Sequence, residues 1–212
     1  MQQEASLLQT PVALVIMIIT IGFTLYAFSD EAIKRKYMLH PYTVWRKSEI
    51  YTVITSGLIH SDWMHLLFNM FSYFFFAFQL ESVLGHWQFG VLYVVSLILS
   101  DLPTIYKHRD NYGYYSLGAS GAVSAVVFSA IMFSPWATMQ LMILPIPMPA
   151  IVFGILYLVY CHFASKHARD HVNHDAHLYG ALSGIIITII LAPGILPTFA
   201  AQVTEGVRSW LH

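Results

Sequence analysis

The sequence predicts an all-α, polytopic membrane protein. Of its 212 residues, 57% are hydrophobic and only 10% are charged, whereas about a quarter of the residues in an average soluble domain are charged. Apolar runs recur from one end of the chain to the other, and no stretch between them is polar enough to form a soluble domain. We therefore expect one integral membrane domain that covers residues 1–212.

Six apolar segments are long enough to cross the hydrocarbon layer, which takes about 20 residues in helical form. The predicted helices are approximately 11–28, 63–81, 87–106, 117–135, 146–164 and 175–193. The longest polar segment, residues 29–62, separates the first two helices. Its cations and aromatic residues predict an interfacial loop that packs on the bilayer surface. The sequence thus predicts a bundle of six transmembrane helices.

The charge and the lone cysteine exclude some other classes. A formal net charge of -1 gives no general attraction to nucleic acid, so we expect no nucleic-acid partner. Cys161 is the only cysteine and cannot form an internal disulfide. The first apolar run follows Glu4 rather than lysine or arginine, and no small-residue cleavage signal comes after it. This run is expected to be a retained helix in the lipid bilayer rather than a signal peptide.

Two motifs predict nucleophilic chemistry. The fourth predicted helix opens with the sequence Gly-Ala-Ser-Gly at residues 118–121, and the sixth carries Ala-His-Leu-Tyr-Gly at residues 176–180. A serine hydroxyl is a poor nucleophile until a base takes its proton, and histidine is the usual base. Unpaired N–H groups at a helix start also stabilise a developing oxyanion. Ser120 is therefore the predicted nucleophile, and His177 is the predicted base.

Glycines predict close packing of these two helices. His177, Gly180 and Gly184 recur at i, i+3 and i+7, which places them on one helix face. Gly180 and Gly184 form a pair of small residues that lets membrane helices approach closely, and Gly121 offers a small residue on the fourth helix. We expect this packing to bring Ser120 within reach of His177.

The second predicted helix carries a further pair of polar residues. His65 and Asn69 are four residues apart, so they share one helix face. Both can donate hydrogen bonds, and together with the Ser120 N–H they would form an oxyanion site. His60 lies just before this helix and is expected to support the loop. The structural alternative is that His65 and Asn69 only bond across helices.

These motifs, on the second, fourth and sixth helices, resemble the rhomboid family of intramembrane serine proteases over roughly residues 45–190. The resemblance rests on His65-x-x-x-Asn69, Gly118-Ala119-Ser120-Gly121 and Ala176-His177-x-x-Gly180. It implies a Ser120–His177 dyad without a third acidic member. It also implies an oxyanion site of His65, Asn69 and the Ser120 backbone, with Gly118 lining that site.

The expected reaction is hydrolysis of peptide bonds in or beside the transmembrane helices of membrane protein substrates, without a cofactor. The resemblance also implies a six-helix rhomboid-like bundle of the bacterial type, in a bacterial inner membrane. Relatives often carry an aromatic residue four positions after the nucleophile that stacks on the histidine. This chain has Ser124 there, so we expect no stacking from that position.

The sidedness of the bundle has two opposing predictions. The first, third and fifth loops carry nine of the ten lysines and arginines, and the other side of the membrane has only Arg208. The positive-inside rule places the nine cations in the cytoplasm. Bacterial members of the family usually open their active site to the outside through the same loops.

Two other functions are compatible with parts of the sequence. The first is a catalytically inactive rhomboid-like protein that binds membrane helices. Such relatives generally lose the serine or the histidine, whereas this chain retains both, which favours an enzyme. The second is an integral membrane metalloprotein that uses a histidine cluster with HxxxH and HxxHxxH spacings. That cluster consists of His167, His171, His174 and His177. A solvated turn is the simpler interpretation of these histidines, so no metal site is predicted.

Overall fold

The computed structural model describes residues 7–139, 146–168, 170 and 172–211. In chain order the helices are α1 (Pro11–Phe28), α2 (Glu31–Tyr37), α3 (Pro41–Trp45), α4 (Thr52–Thr55), α5 (Trp63–Leu84), α6 (His86–His108), α7 (Ser120–Phe133), α8 (Ala150–His167), α9 (His174–Leu191) and α10 (Ile195–Leu211). Short 3-10 turns cover Leu7–Gln9 and Ser56–Leu58. Strands β1 (Thr138–Met139) and β2 (Met148–Pro149) pair antiparallel, with Thr138 opposite Pro149. The all-α prediction is confirmed.

Within the described residues, five helices are long and apolar enough to cross a membrane, namely α1, α5, α6, α8 and α9. They make the chain a multi-pass integral membrane protein. The predicted span at 117–135 is shorter than expected, because α7 has only 14 residues. At 1.5 Å per residue it is about 21 Å long, against a hydrocarbon layer of about 30 Å. Eleven of these 14 residues are buried, because α7 lies at the centre of the bundle and packs on α5, α6, α8 and α9.

The α7 and α9 backbones are in direct contact. A Cβ atom at Gly180 would overlap the carbonyl group of Gly121, and one at Gly184 would overlap the backbone of Ala125. Below these contacts, the Thr188 hydroxyl lies 2.6 Å from the Ser129 hydroxyl. Only residues without a side chain allow this approach, so the glycines set the distance between the two helices.

The connections before α5, α7 and α9 meet at one face of the bundle. Leu39 and Ser116 pair through two backbone hydrogen bonds of 2.8 and 3.0 Å. At the same face, the Lys107 ammonium group lies 2.7 Å from the Asp175 carboxylate. The segment predicted as an interfacial loop, 29–62, folds here into α2, α3, α4 and the second 3-10 turn. These connections surround the N-terminal ends of the three helices that carry the predicted site.

Helix α10 was not predicted. Its sequence alternates apolar residues with polar ones, so it contains no continuous apolar run for a span search to find. The indole N–H of Trp136 donates to the Gln202 carbonyl at 2.9 Å and fixes α10 beside the β ribbon. Apolar residues on one side and polar residues on the other are typical of a helix that lies along the membrane surface.

A buried carboxylate fixes the start of α1. Glu81, near the end of α5, is fully buried and accepts hydrogen bonds from the N–H groups of Val12 at 3.1 Å and Ala13 at 2.6 Å. The first N–H groups of a helix have no partner within the helix, and the positive helix end favours a negative charge. His86 Nδ1 also lies 2.6 Å from the Glu81 carboxylate. One side chain thus joins α1 to the turn between α5 and α6.

A second buried residue, His60, links α1 to the segment before α7. Thr24 donates its only hydroxyl proton to the Leu58 carbonyl at 3.1 Å, so its oxygen accepts from His60 Nδ1 at 3.0 Å. The ring then has its lone pair on Nε2, which faces the Ala119 N–H at 3.5 Å. His60 was expected to support the loop from outside the second helix. It is fully buried and contacts the backbone one residue before Ser120.

Removal of the Glu81 carboxylate should destabilise the bundle. We expect Glu81→Ala to lower the free energy of unfolding by about 1–3 kcal/mol, the usual cost of a buried N–H group left without a partner. Thermal unfolding in detergent micelles measures this change. Glu31→Ala is the matched control, because Glu31 is exposed and pairs only with Lys34 in its own helix. That control should cost less than about 0.5 kcal/mol, and equal losses in the two variants would contradict the assignment.

Acid should weaken the fold through His60. Burial lowers the pKa of its imidazole to about 3, and the neighbouring His65 contributes in the same direction while Asp62 opposes it. An unfolded histidine ionises at about pH 6.5, so between about pH 3 and 6.5 the unfolded chain binds more protons than the folded chain. Stability from this residue is complete above about pH 6.5 and falls by about 1.4 kcal/mol per pH unit toward pH 3.

The variant His60→Gln removes this titration while it keeps a polar side chain. Its unfolding midpoint should therefore depend less on pH between 4 and 7, about the window set by the two pKa values, than that of the parent. The midpoint is measured at closely spaced pH values in one detergent. Parallel pH profiles for parent and variant would show that His60 does not contribute.

Candidate active site

Ser120 is the first residue of α7 and follows the N-cap residue Ala119. No side chain caps this helix end, so the first N–H groups of α7 remain available as donors to a ligand. The connections before α5, α7 and α9 surround this end of α7. The Ser120 hydroxyl is half-buried there.

Ser120 and His177 lie at the same level of the α7–α9 contact. The carbonyl oxygen of Ala176 is 3.3 Å from the position that a Cβ atom would take on Gly121. Since Ser120 precedes Gly121 and His177 follows Ala176, the two predicted dyad residues flank this contact. Within the described chain no hydrogen bond joins the Ser120 hydroxyl to the His177 ring. Hydrogen bonds of this kind are often long without substrate and shorten in the complex.

The imidazole of His65 lies over Gly118. Gly118 has φ of +120° and donates its N–H to the Ser56 carbonyl at 2.9 Å. A Cβ atom at this position would lie 2.6 Å from His65 Cε1 and 2.7 Å from His65 Nε2. The backbone conformation and the missing space both require glycine. The structure therefore brings His65 against the backbone two residues before Ser120, as an oxyanion site would need.

The hydrogen-bonding role of His65 depends on its neighbours. The Ser61 hydroxyl donates to the Asp62 carboxylate at 2.6 Å and lies 3.0 Å from His65 Nδ1. A hydroxyl has one proton, so in this arrangement it accepts from His65 Nδ1–H and leaves a lone pair on Nε2. The Nε2 atom beside Gly118 can then donate only after the ring gains a proton or Ser61 turns its own proton toward Nδ1.

Asn69 lies one turn deeper in α5 than His65 and is buried. Its side-chain amide donates to the His65 carbonyl at 2.9 Å. This bond uses one of the two amide protons, so one more remains for another acceptor. Among the described residues, no hydrogen bond links Asn69 to Ser120. The structure thus brings His65 to the predicted oxyanion site and places Asn69 beneath it.

An aromatic ring from α8 faces the predicted base. The Tyr157 ring lies nearly parallel to the His177 ring, with an interplanar angle of 17° and centroids 6.3 Å apart. The Tyr157 hydroxyl lies 2.8 Å from the Ser124 hydroxyl, one turn along α7 from Ser120. Position 124 supplies no aromatic ring, as expected. Its hydroxyl instead contacts Tyr157 of α8, and the ring of Tyr157 faces His177. The sequence did not indicate Tyr157, because its contacts with His177 and Ser124 cross between helices.

The four histidines considered as a metal cluster do not share a continuous helix. Helix α8 ends at His167 and α9 begins at His174, and His171 lies outside the described residues. His167 bonds to the Phe163 carbonyl within its own helix at 3.0 Å. His174 and His177 do lie close together, and Cys161 of α8 joins them. Sequence spacing missed this cysteine, which contributes from a different helix.

Comparison with known proteins gives a consistent result. The family model for the Rhomboid domain matches residues 47–194. A protein of Bacillus subtilis (strain 168) named putative rhomboid protease YdcA is 30% identical over 142 residues, which cover 67% of each chain. Rhomboid protease GlpG of Yersinia pestis (strain Pestoides F) is 24% identical over 192 residues, 87% of this chain and 66% of the relative.

A plant relative is similar over a shorter part of its length. RHOMBOID-like protein 12, mitochondrial, of Arabidopsis thaliana is 27% identical over 152 residues. This match covers 65% of the present chain and 45% of the relative, so the chain spans about half the length of that protein. The matched domain includes the helices that carry Ser120, His177 and His65. The chain belongs to the rhomboid family.

Proposed function

We propose that the protein is an intramembrane serine protease that hydrolyses peptide bonds in or beside transmembrane helices through Ser120 and His177. The observation that carries this proposal is the backbone contact between α7 and α9, at which the Ala176 carbonyl approaches Gly121. Ser120 precedes Gly121 and His177 follows Ala176, so both residues lie next to this contact. The Bacillus and Yersinia relatives bear the name rhomboid protease. Residence in a bacterial inner membrane is part of the same proposal.

In the proposed mechanism, His177 removes the Ser120 proton as Oγ attacks the scissile carbonyl. The carbonyl oxygen becomes an oxyanion beside the free N–H groups at the start of α7. Each preorganised donor in such a site typically stabilises the transition state by about 3–4 kcal/mol. His177 then gives its proton to the leaving amine, and a water molecule activated by the same ring releases the acyl group.

His65 is proposed as a donor to this oxyanion through Nε2. The ring lies over Gly118, and the negative charge that develops in the reaction favours any arrangement with a proton on Nε2. Ser61 can supply that arrangement when its hydroxyl turns from Asp62 to His65 Nδ1. Asn69 is proposed as the second side-chain donor, by means of the amide proton that His65 does not occupy.

The half-buried position of Ser120 at the start of an apolar helix supports a membrane-embedded substrate. A transmembrane helix hides its carbonyl groups in internal hydrogen bonds, so the substrate must unwind locally before Ser120 can attack it. Residues with poor helix propensity, such as glycine, lower the cost of this unwinding by about 1 kcal/mol each relative to alanine. We therefore propose that preferred substrates carry such residues near the cleaved bond.

Substitution of either dyad residue should abolish proteolysis. With a transmembrane substrate in proteoliposomes, Ser120→Ala and His177→Ala should each lower the cleavage rate by at least about 1,000-fold, since removal of one member disables the pair. The parent should also react covalently with a fluorophosphonate, whereas Ser120→Ala should not.

Ser165→Ala is the matched control, because among the described residues the Ser165 hydroxyl bonds to the His162 carbonyl in its own helix and to no residue of the site. This variant should keep the parental rate. Equal cleavage by the parent, Ser120→Ala and His177→Ala would refute the dyad. Tight binding of the helical substrate without cleavage by any of them would instead indicate a helix-binding protein.

The Tyr157 ring should orient His177. Tyr157→Phe keeps the ring and loses the hydroxyl contacts with Ser124 and Cys161, so we expect a loss of about threefold in kcat, equivalent to one weak hydrogen bond. Tyr157→Ala removes the ring and should lower kcat by about 10-fold or more with KM nearly unchanged, because displaced catalytic groups mainly slow the chemical step.

The contrast between kcat and KM separates orientation from substrate binding. Ser124→Ala should lower kcat no more than Tyr157→Phe, because it removes only the 2.8 Å contact and leaves the Tyr157 hydroxyl bonded to Cys161. Equal rates for Tyr157→Phe and Tyr157→Ala would show that the stacked ring has no part in positioning the base.

A further inference from the structure

Three side chains with metal-ligand chemistry converge on the side of His177 that faces α8. Cys161, His174 and His177 each offer one ligand atom, and these three atoms all lie within 4.8 Å of one another. Cys161 is fully buried and His174 is 5% exposed. The sulfur comes from α8 and both imidazoles come from the first turn of α9. The cluster therefore sits between the two helices, next to the proposed base.

His174 has a free nitrogen in this cluster. Its Nδ1 atom is buried and has no hydrogen-bond partner in the described part of the chain. Its Nε2 atom lies 3.1 and 3.2 Å from the two carboxylate oxygens of Asp170. A carboxylate at Nε2 keeps the ring proton there, so the lone pair is on Nδ1. Histidines that bind metals commonly hold a carboxylate in this way through the second nitrogen.

We propose that this cluster is a binding site for a thiophilic divalent cation, with Zn²⁺ as the best match. One thiolate and two imidazoles are typical zinc ligands, and a tetrahedral ion would keep its fourth position for water or another ligand. Bond lengths of about 2.3 Å to sulfur and 2.0–2.1 Å to nitrogen require the donor atoms to close to roughly 3.3–3.7 Å. A contraction of at most about 1.1–1.5 Å is within the reach of side-chain rotations.

Metal binding would consume the lone pair that the proposed base needs. A neutral imidazole has one N–H group and one lone pair. Once the lone pair of His177 binds the cation, the ring can no longer accept the Ser120 proton. The thiol of Cys161 loses its proton to the buffer when the sulfur–metal bond forms, so binding releases one proton. The cation is therefore expected to inhibit proteolysis reversibly.

The binding of metal is independent of the proposed function, whereas its inhibitory effect rests on that function. The two are separated by measuring binding in Ser120→Ala, which leaves the three ligands in place. Purified Ser120→Ala in detergent is titrated with Co²⁺, a spectroscopic substitute for Zn²⁺. We expect the absorption bands of a tetrahedral cobalt–thiolate centre, and added Zn²⁺ should abolish them. The chain has one cysteine, so any thiolate band reports on Cys161.

Ligand variants define the site. In the Ser120→Ala background, Cys161→Ser should abolish the thiolate band, and His174→Ala should weaken the affinity for Co²⁺ at least about 10-fold. Asp170→Asn should weaken it by about 10- to 100-fold, as expected for a residue that orients a metal-binding histidine. His167→Ala is the matched control, because this histidine lies at the exposed end of α8 and bonds within its own helix. That variant should bind Co²⁺ as tightly as its parent.

The second arm measures proteolysis with the otherwise unmodified chain. Zn²⁺ should lower the cleavage rate and a chelator should restore it, and Cys161→Ser should resist inhibition when compared with its own metal-free rate. Absence of a cobalt–thiolate band in Ser120→Ala overturns the site. A band with unimpeded cleavage at saturating Zn²⁺ overturns the inhibition. A band in a protein that never cleaves a substrate supports the site and refutes the proposed protease.

Discussion

The backbone contact between α7 and α9 is the constraint on which the rest of the structure depends. Lipid tails are as apolar as the helix surfaces, so helices in a bilayer associate through close packing and hydrogen bonds rather than through the hydrophobic effect. Gly180 and Gly184 let α9 rest on the α7 backbone. Since α7 also packs on α5, α6 and α8, its position fixes where His65 and Tyr157 stand relative to Ser120.

Hydropathy predicted the helices well where an apolar run has clear ends. The first predicted helix, 11–28, matches α1 (Pro11–Phe28) because Pro11 opens the helix and polar residues follow it. The predicted helix that corresponds to α7 begins three residues early, because residues 117–119 are no more polar than the helix that follows them. Only the backbone reveals that Gly118 has a positive φ and cannot belong to α7. Helix α10 was missed because its apolar residues are not contiguous.

The parts of the candidate site whose residues share one helix could be predicted from the sequence. The spacing of His65 and Asn69, and that of His177 with the glycines, follows from helix geometry alone. Tyr157 and Cys161 were not predicted, because they approach His177 from another helix, which periodicity within a helix does not encode. His174 was noted only for its spacing from the other histidines. His60 was expected to support the loop, but its burial and its partners were not predicted, because those partners lie in other segments of the chain. The described structure instead buries the ring against Thr24 and Ala119.

Helix α8 is mostly exposed, although it carries side chains that approach the proposed base. Only 17% of its apolar segment is buried within the protein, compared with 50% for α6, so most of this helix is available to contact lipid. Yet this helix carries both side chains that approach His177 from outside α9, Tyr157 and Cys161. Bilayer thickness and lateral pressure act directly on such a helix. Lipid that acts on α8 therefore also acts on the orientation of the His177 ring. The composition of the membrane becomes a determinant of how this site works.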